Sequence, residues 1–288
     1  DIDMSAHKWI PVDINFNVFD TVTTFNGNNK TISGLDIDGY TSQLGGCGFF
    51  SYAKSVDIKN LNFSGKIRGY VQQGRSFTGG ALTGNAEQRV NIDNCHADFD
   101  VYIDGTSSTL DYGGLVYSSM SLSIKDSSVK GTVTVDNCNL LNWANMSGIT
   151  NSLVSSNTAK NNYSAVKFIF GDNVNLPDSN NTLSGIAKEI DNTSCENNYF
   201  AGEFVNVPEN MKSYGISEAY HVVDSSDLYG ANYSYVTPLI DESNISDEVS
   251  NYIDSVSENS KVGKLSLLTY LNDWVSTHTL ETYLTWET

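Results

Sequence analysis

The sequence predicts an all-β fold, a right-handed parallel β-helix of about six coils with a small helical C-terminal appendage. Two repeating anchors and the composition predict it. The first anchor is a glycine followed by apolar residues: Gly48-Phe49-Phe50, Gly80-Ala81-Leu82, Gly114-Leu115-Val116, Gly148-Ile149, Gly185-Ile186 and Gly215-Ile216. The steps between these glycines are 32, 34, 34, 37 and 30 residues, a solenoid-like period. The second anchor is a polar corner at similar offset, Asn60, Asn94, Asp126, Asn162 and Asn198. Each precedes an alternating run. Asn tolerates the left-handed conformation of a tight corner, and its amide can bond the copies above and below. The third observation is that 32 Asn and 36 Ser make up about a quarter of 288 residues, while charged residues are only 17%. That usage suits short strands joined by turns better than helices.

The elements follow in order. Residues 1–24 are expected to cap the N-terminal end, because open strand edges would otherwise pair with other chains. Residues 25–237 carry the coils, each made of two or three strands of about three to six residues. No coil can bury its apolar face alone, so stacking makes the core. Residues 171–182 (GDNVNLPDSNNT) interrupt the pattern as an insertion loop. Beyond Pro238 the period changes. Ile245, Val249, Ile253 and Val256, then Leu265, Leu268, Leu271 and Val275 with Trp274 beside them, have helical spacing. Residues 238–288 are therefore expected to form two short helices and a final strand, TYLTW, docked as a cap or flap.

Charge narrows the function. Lys and Arg total 16 against 34 Asp and Glu, a formal charge of -18. Such a surface repels phosphate backbones and anionic lipids, so nucleic acid is not an expected partner. No run approaches the length needed to span a bilayer. The opening DIDMSAHKW has no signal-peptide pattern and reads as the start of a mature form or an excised piece.

Trp9-Ile10-Pro11-Val12, FNGNNKTISGLDIDG (25–39) and GGCGFFSYAKSVDIKNLNFSG (45–65) resemble the opening of GLUG-type repeat proteins of bacterial surfaces. Related repeats occur in the non-catalytic N-terminal region of IgA1-specific metallopeptidases. YLNDWVSTHTLETYLTW (270–286) resembles the way such proteins end. The resemblance implies a β-helix within a larger multidomain chain, an extracellular or cell-surface location, and adhesin-like binding of a host or environmental glycan or protein. It implies neither catalysis nor a cofactor.

The residues themselves offer little catalytic chemistry. His7, His96, His221 and His278 stand alone, with no HExxH, and no nucleophile elbow or P-loop occurs. Cys47, Cys95, Cys138 and Cys195 lack CxxC spacing and read as free, buried thiols, with Cys95 and Cys138 the pair to test for a bridge. Asp36 and Asp38 are too few for a calcium site. Asp98 and Asp100 point outward two apart on one strand. They would suit a polysaccharide lyase or hydrolase, but Lys66 and Lys130 on neighbouring coils read as partners in a charge ladder.

The aromatic residues are the better candidates. Aligning Phe63, Ala97, Val129, Ala165 and Ala201 as one inward column puts Phe168, Phe170 and Phe204 outward together, either as a binding patch or beneath the C-terminal helices. Tyr70, Tyr102, Tyr112 and Tyr117 could stack on sugar faces. These seven residues form the candidate ligand site. The expected function is a non-enzymatic adhesin-like binding domain. The alternative is a carbohydrate-binding module for cellulose or another plant or host glycan.

Overall fold

The computed structural model describes residues 1–15, 22–40, 46–71, 76–118, 121–153, 156–178, 180–190, 195–215, 217, 233–234, 272 and 274–286. The chain winds into a parallel β-solenoid of about five turns. Among the described residues, eighteen strands join in one continuous sheet that bends around the corners. Thr23–Tyr40, Phe50–Val71, Thr83–Gly113 and Ser128–Ser147 supply the long rungs. Every pairing among the described residues is parallel: Ile67 faces Ile37 and Val101, and Val101 faces Val133.

Residues at the N-terminal end begin the stack. Ile2 and Asp3 pair with Ile32 and Ser33, and Val12–Asn15 pair with the strand that starts at Phe50. The Trp9 ring stacks on Phe49 at 4.7 Å, and its Nε1 donates to the Phe49 carbonyl at 2.7 Å. At the other end, residues 274–277 are helical and Trp274 is buried. Tail residues 282–286, expected as a strand, take neither helix nor strand and enter no sheet. Of the two helices expected between 245 and 275, only Asn272, Trp274 and Val275 are among the described residues; the rest lie outside them.

The glycine anchor has a steric cause. A Cβ on Gly114 would sit 2.0 Å from the carbonyl oxygen of Gly148, and one on Gly148 would sit 2.0 Å from that of Gly185. Successive coils touch backbone to backbone there. The apolar partners Phe49, Leu82, Leu115, Ile149 and Ile186 then turn into the core. Coil-to-coil hydrogen bonds such as Leu115 N to the Ile149 carbonyl, 2.8 Å, lock the register.

The asparagine corner corrects one expectation. Asn60, Asn94 and Asp126 have positive φ, as predicted, but in the next two coils the corner residues are Asn161 and Asn197, not Asn162 and Asn198. The corner amides form a ladder. Asn94 Nδ2 donates to Asn60 Oδ1 at 2.9 Å, Asn161 Nδ2 to Asp126 Oδ1 at 2.6 Å, and Asn197 Nδ2 to Asn161 Oδ1 at 2.8 Å. Asn162 and Asn198 instead point inward, below Leu61, Cys95 and Ser127. There they staple backbone across coils. Asn162 Oδ1 accepts from Ser127 N at 2.9 Å, and Asn198 Oδ1 accepts from Asn162 N at 3.1 Å.

This one-residue offset reverses the aromatic patch. Val129 pairs with Ser164, not Ala165, and a slip of one residue turns every following side chain to the other face. Phe168 and Phe170 are therefore core residues with no surface to offer, and Phe204 is half-buried against Phe200 and Phe168, its ring centroid 5.2 Å and 5.9 Å from theirs. Tyr112 is also in the core, edge-on to Phe168 at 6.5 Å. All four cysteines are buried and none forms a disulfide; desolvation pushes the Cys47, Cys95 and Cys138 thiols up to about 12.

Candidate functional site

Two surfaces carry the remaining predicted residues. On the flat face, outward positions stack into ladders of charge. Lys66 sits beside Asp36 at 3.2 Å, Lys8 reaches the same carboxylate at 2.9 Å, and Lys167 meets Glu203 at 2.6 Å. The two lysines hold the Asp36 carboxyl below its usual range. Asp98 pairs with Lys130 at 3.2 Å, while Asp100 lies in register between Lys66 and Thr132. Tyr70 is exposed and Tyr102 half-buried, and the ion pair Arg68–Asp104, 2.9 Å, lies between their columns. Among the described residues no three His, Cys, Asp or Glu side chains group as a metal site.

The second surface lies where Ser76–Gly79, the end of Thr83–Gly113 and the end of Ser128–Ser147 stack side by side. The register places Thr78, Asp111 and Asn145 in one column and Ser76, Thr109 and Trp143 in the next. Alternation turns both columns outward, away from the Leu110–Ala144 and Tyr112–Met146 core columns. Asp111 is nonetheless 5% exposed. Burial raises its carboxyl above the ordinary value, and four donors offset part of that rise. Trp143 Nε1 donates at 3.1 Å, Asn145 Nδ2 at 3.3 Å and Thr109 Oγ1 at 3.0 Å, and the Tyr117 hydroxyl closes the set. Burial and the neighbouring carboxylate push the Tyr117 phenol up, which keeps it a donor.

The site pairs this buried acceptor with an exposed ring. Trp143 remains 38% exposed and Leu141, two residues earlier across a one-residue bulge, 55%. Exposed Asn139 lies next along the strand, bonded through its Oδ1 to Asn175 Nδ2 at 2.9 Å. Asn145, which shares Asp111 Oδ1 with Trp143, has its own Oδ1 buried without a partner among the described residues, as are Ser147 Oγ and Ser184 Oγ further along the strands. Buried polar atoms left unpaired cost about 1–3 kcal/mol each, and their grouping here sets this corner apart from the hydrogen-bonded Asn ladder.

Of the seven predicted ligand residues, only Tyr117 belongs to this cluster. Trp143 was not among them: a one-residue register shift between Leu140 and Trp143 leaves Leu141, Asn142 and Trp143 all exposed, which simple alternation in NLLNWAN (139–145) does not show. Two large apolar residues at outward positions among asparagines were the available signal.

No protein-family model, no curated protein and no solved structure matches this chain. Among the described residues, no helix is long and apolar enough to cross a membrane.

Proposed function

We propose that this chain is a non-enzymatic binding domain of an extracellular, bacterial cell-surface protein, adhesin-like in use, and that its ligand is a neutral glycan held on Trp143. The observation that carries the reading is the indole ring itself, more than a third exposed and tethered through Nε1 to buried Asp111. A ring fixed in this way loses little freedom when a sugar stacks on its face. Asn139, Asn142 and Asn175, all exposed, supply amide donors and acceptors for ring hydroxyls. The formal charge of -18 disfavours polyanionic glycans and nucleic acids. The Asp98 and Asp100 pair is a weaker basis for chemistry, because Lys130 engages Asp98.

The test is retention on a panel of soluble and insoluble neutral polysaccharides, with release of reducing ends followed in the same tubes. Trp143→Ala is expected to weaken retention by about tenfold or more, the equivalent of about 1.4 kcal/mol, and Trp143→Phe by less. Release of reducing ends that disappears in Asp100→Asn would replace the binding reading with a catalytic one. Retention unchanged in Trp143→Ala would remove Trp143 from the site.

A further inference from the structure

The C-terminal tail is bound in an unusual way. Residues 282–286 take neither helix nor strand and add no rung to the solenoid; at every second residue they contact the corner of two successive coils. Lys125 Nζ donates to the Thr282 carbonyl at 3.1 Å. The Leu284 amide donates to Asp126 Oδ1 at 3.0 Å, and Asn161 Nδ2 donates to the Leu284 carbonyl at 2.9 Å. All three contacts read the tail's main chain, so they do not depend on which residues it carries. Two aromatic side chains add selectivity. Tyr283 lies beneath Lys125, 5.9 Å from ring centroid to Nζ, and packs edge-on against Trp274. Trp286 donates through Nε1 to Asn161 Oδ1 at 2.7 Å and tilts over Tyr163.

The corner ladder explains why this surface can hold a peptide. An asparagine amide has two N–H groups and two acceptor positions. Stacking uses one of each at Asn161, through Asp126 on one side and Asn197 on the other. One donor and one acceptor are left facing outward. At Asn94 the equivalent groups are already taken, by Asn29 Oδ1 at 3.1 Å and by His96 Nε2 at 3.0 Å. Asp126 and Asn161 are thus a part of the corner where the leftover groups meet another segment's backbone.

We infer that the Lys125–Asp126–Asn161 corner is a binding site for an extended peptide with aromatic residues three positions apart, and that the chain's own tail fills it in cis. The site is separate from Trp143 and does not depend on glycan binding. A tethered occupant acts at an effective concentration in the millimolar range, so a free peptide enters only when the tail is weakened.

The probe is a fluorescent synthetic peptide with the sequence of residues 279–286, titrated into the full chain and followed by anisotropy. The double variant Tyr283→Ala with Trp286→Ala keeps the tail's main chain but loses both aromatic anchors. It is expected to take up the peptide at least about tenfold more tightly than the wild type, and Trp286→Ala alone by an intermediate factor. Adding Asn161→Gly should abolish uptake, because glycine keeps the positive φ without strain and deletes the amide. Thermal melts identify variants that fail to fold; if the double variant does so, Trp286→Ala alone carries the comparison. Equal affinity for wild type and the folded tail variants, or uptake that survives Asn161→Gly, would overturn the proposal.

Discussion

At the scale of single residues, the corner asparagines combine two tasks that can be separated. Asn94 has φ near 53° and bonds Asn60, Asn29 and His96. The left-handed conformation costs an ordinary residue about 1–2 kcal/mol, and each lost hydrogen bond costs about 1 kcal/mol. Asn94→Ala incurs both losses and Asn94→Gly only the second. The alanine variant is therefore expected to be less stable by about 1 kcal/mol than the glycine variant in urea unfolding, and both less stable than the wild type. Asp111 offers a test in pH. Its carboxyl is raised in the folded state by burial, so the native protein holds that proton more tightly than the unfolded chain. Its favourable contribution is fully present below the unfolded value of 3.8 and is lost as pH rises through the folded value. Asp111→Asn carries no such titration. The deficit of the variant relative to wild type is expected to be larger at about pH 4 than at about pH 7, and a deficit that grows with pH would contradict the assignment of burial as the dominant cause.

At the scale of the coil, glycine and asparagine were informative for different reasons. The Gly-apolar anchor could be read from sequence because the constraint is absolute: a side chain at Gly114 meets a carbonyl oxygen of the next coil. Gly114→Ala is expected to cost at least about 3 kcal/mol, the upper end for overpacking, whereas Gly171→Ala meets chiefly the Asp136 side chain and should cost less. Chemical denaturation of the two variants checks the order. The Asn corner was legible only in part. Asn60 and Asn94 stand alone at their corners, but the later coils carry doublets, Asn161-Asn162 and Asn197-Asn198. Either member fits the spacing. The choice is decided by the inward column, where burying an amide is tolerated because Asn162 and Asn198 find backbone partners in the neighbouring coils. Hydrophobic patterning alone favours the other choice, and with it goes the outward placement of Phe168 and Phe170. The candidate site was hidden for a related reason. Asp111 is outward by alternation yet buried, where Tyr117 of its own coil and Trp143 of the next both donate to its carboxylate, and a linear sequence does not show that convergence.

At the scale of the whole molecule, coils in a parallel sheet stack about 4.8 Å apart, so charges on neighbouring coils lie well within the Debye length of about 10 Å at 0.1 M salt. Sixteen cations cannot balance thirty-four carboxylates. Many cations sit between acids of adjacent coils: Lys66 beside Asp36, Lys125 beside Asp93, Lys130 beside Asp98 and Lys167 beside Glu203. Salt acts on attraction and repulsion alike. It weakens these partly exposed pairs, each worth about 0–1 kcal/mol, and it also screens the repulsion among the acids left over. The excess of eighteen negative charges is larger than the number of ladders just named. Repulsion therefore outweighs the attraction within the ladders, and the melting temperature is expected to rise as sodium chloride goes from about 0.01 M to about 0.3 M. A fall over that range would mean that the ladders, and not the net charge, govern the stability of the rod. The same experiment on Lys130→Gln separates the two: removing one ladder cation deepens the net charge, so the variant should show a steeper rise with salt than the wild type.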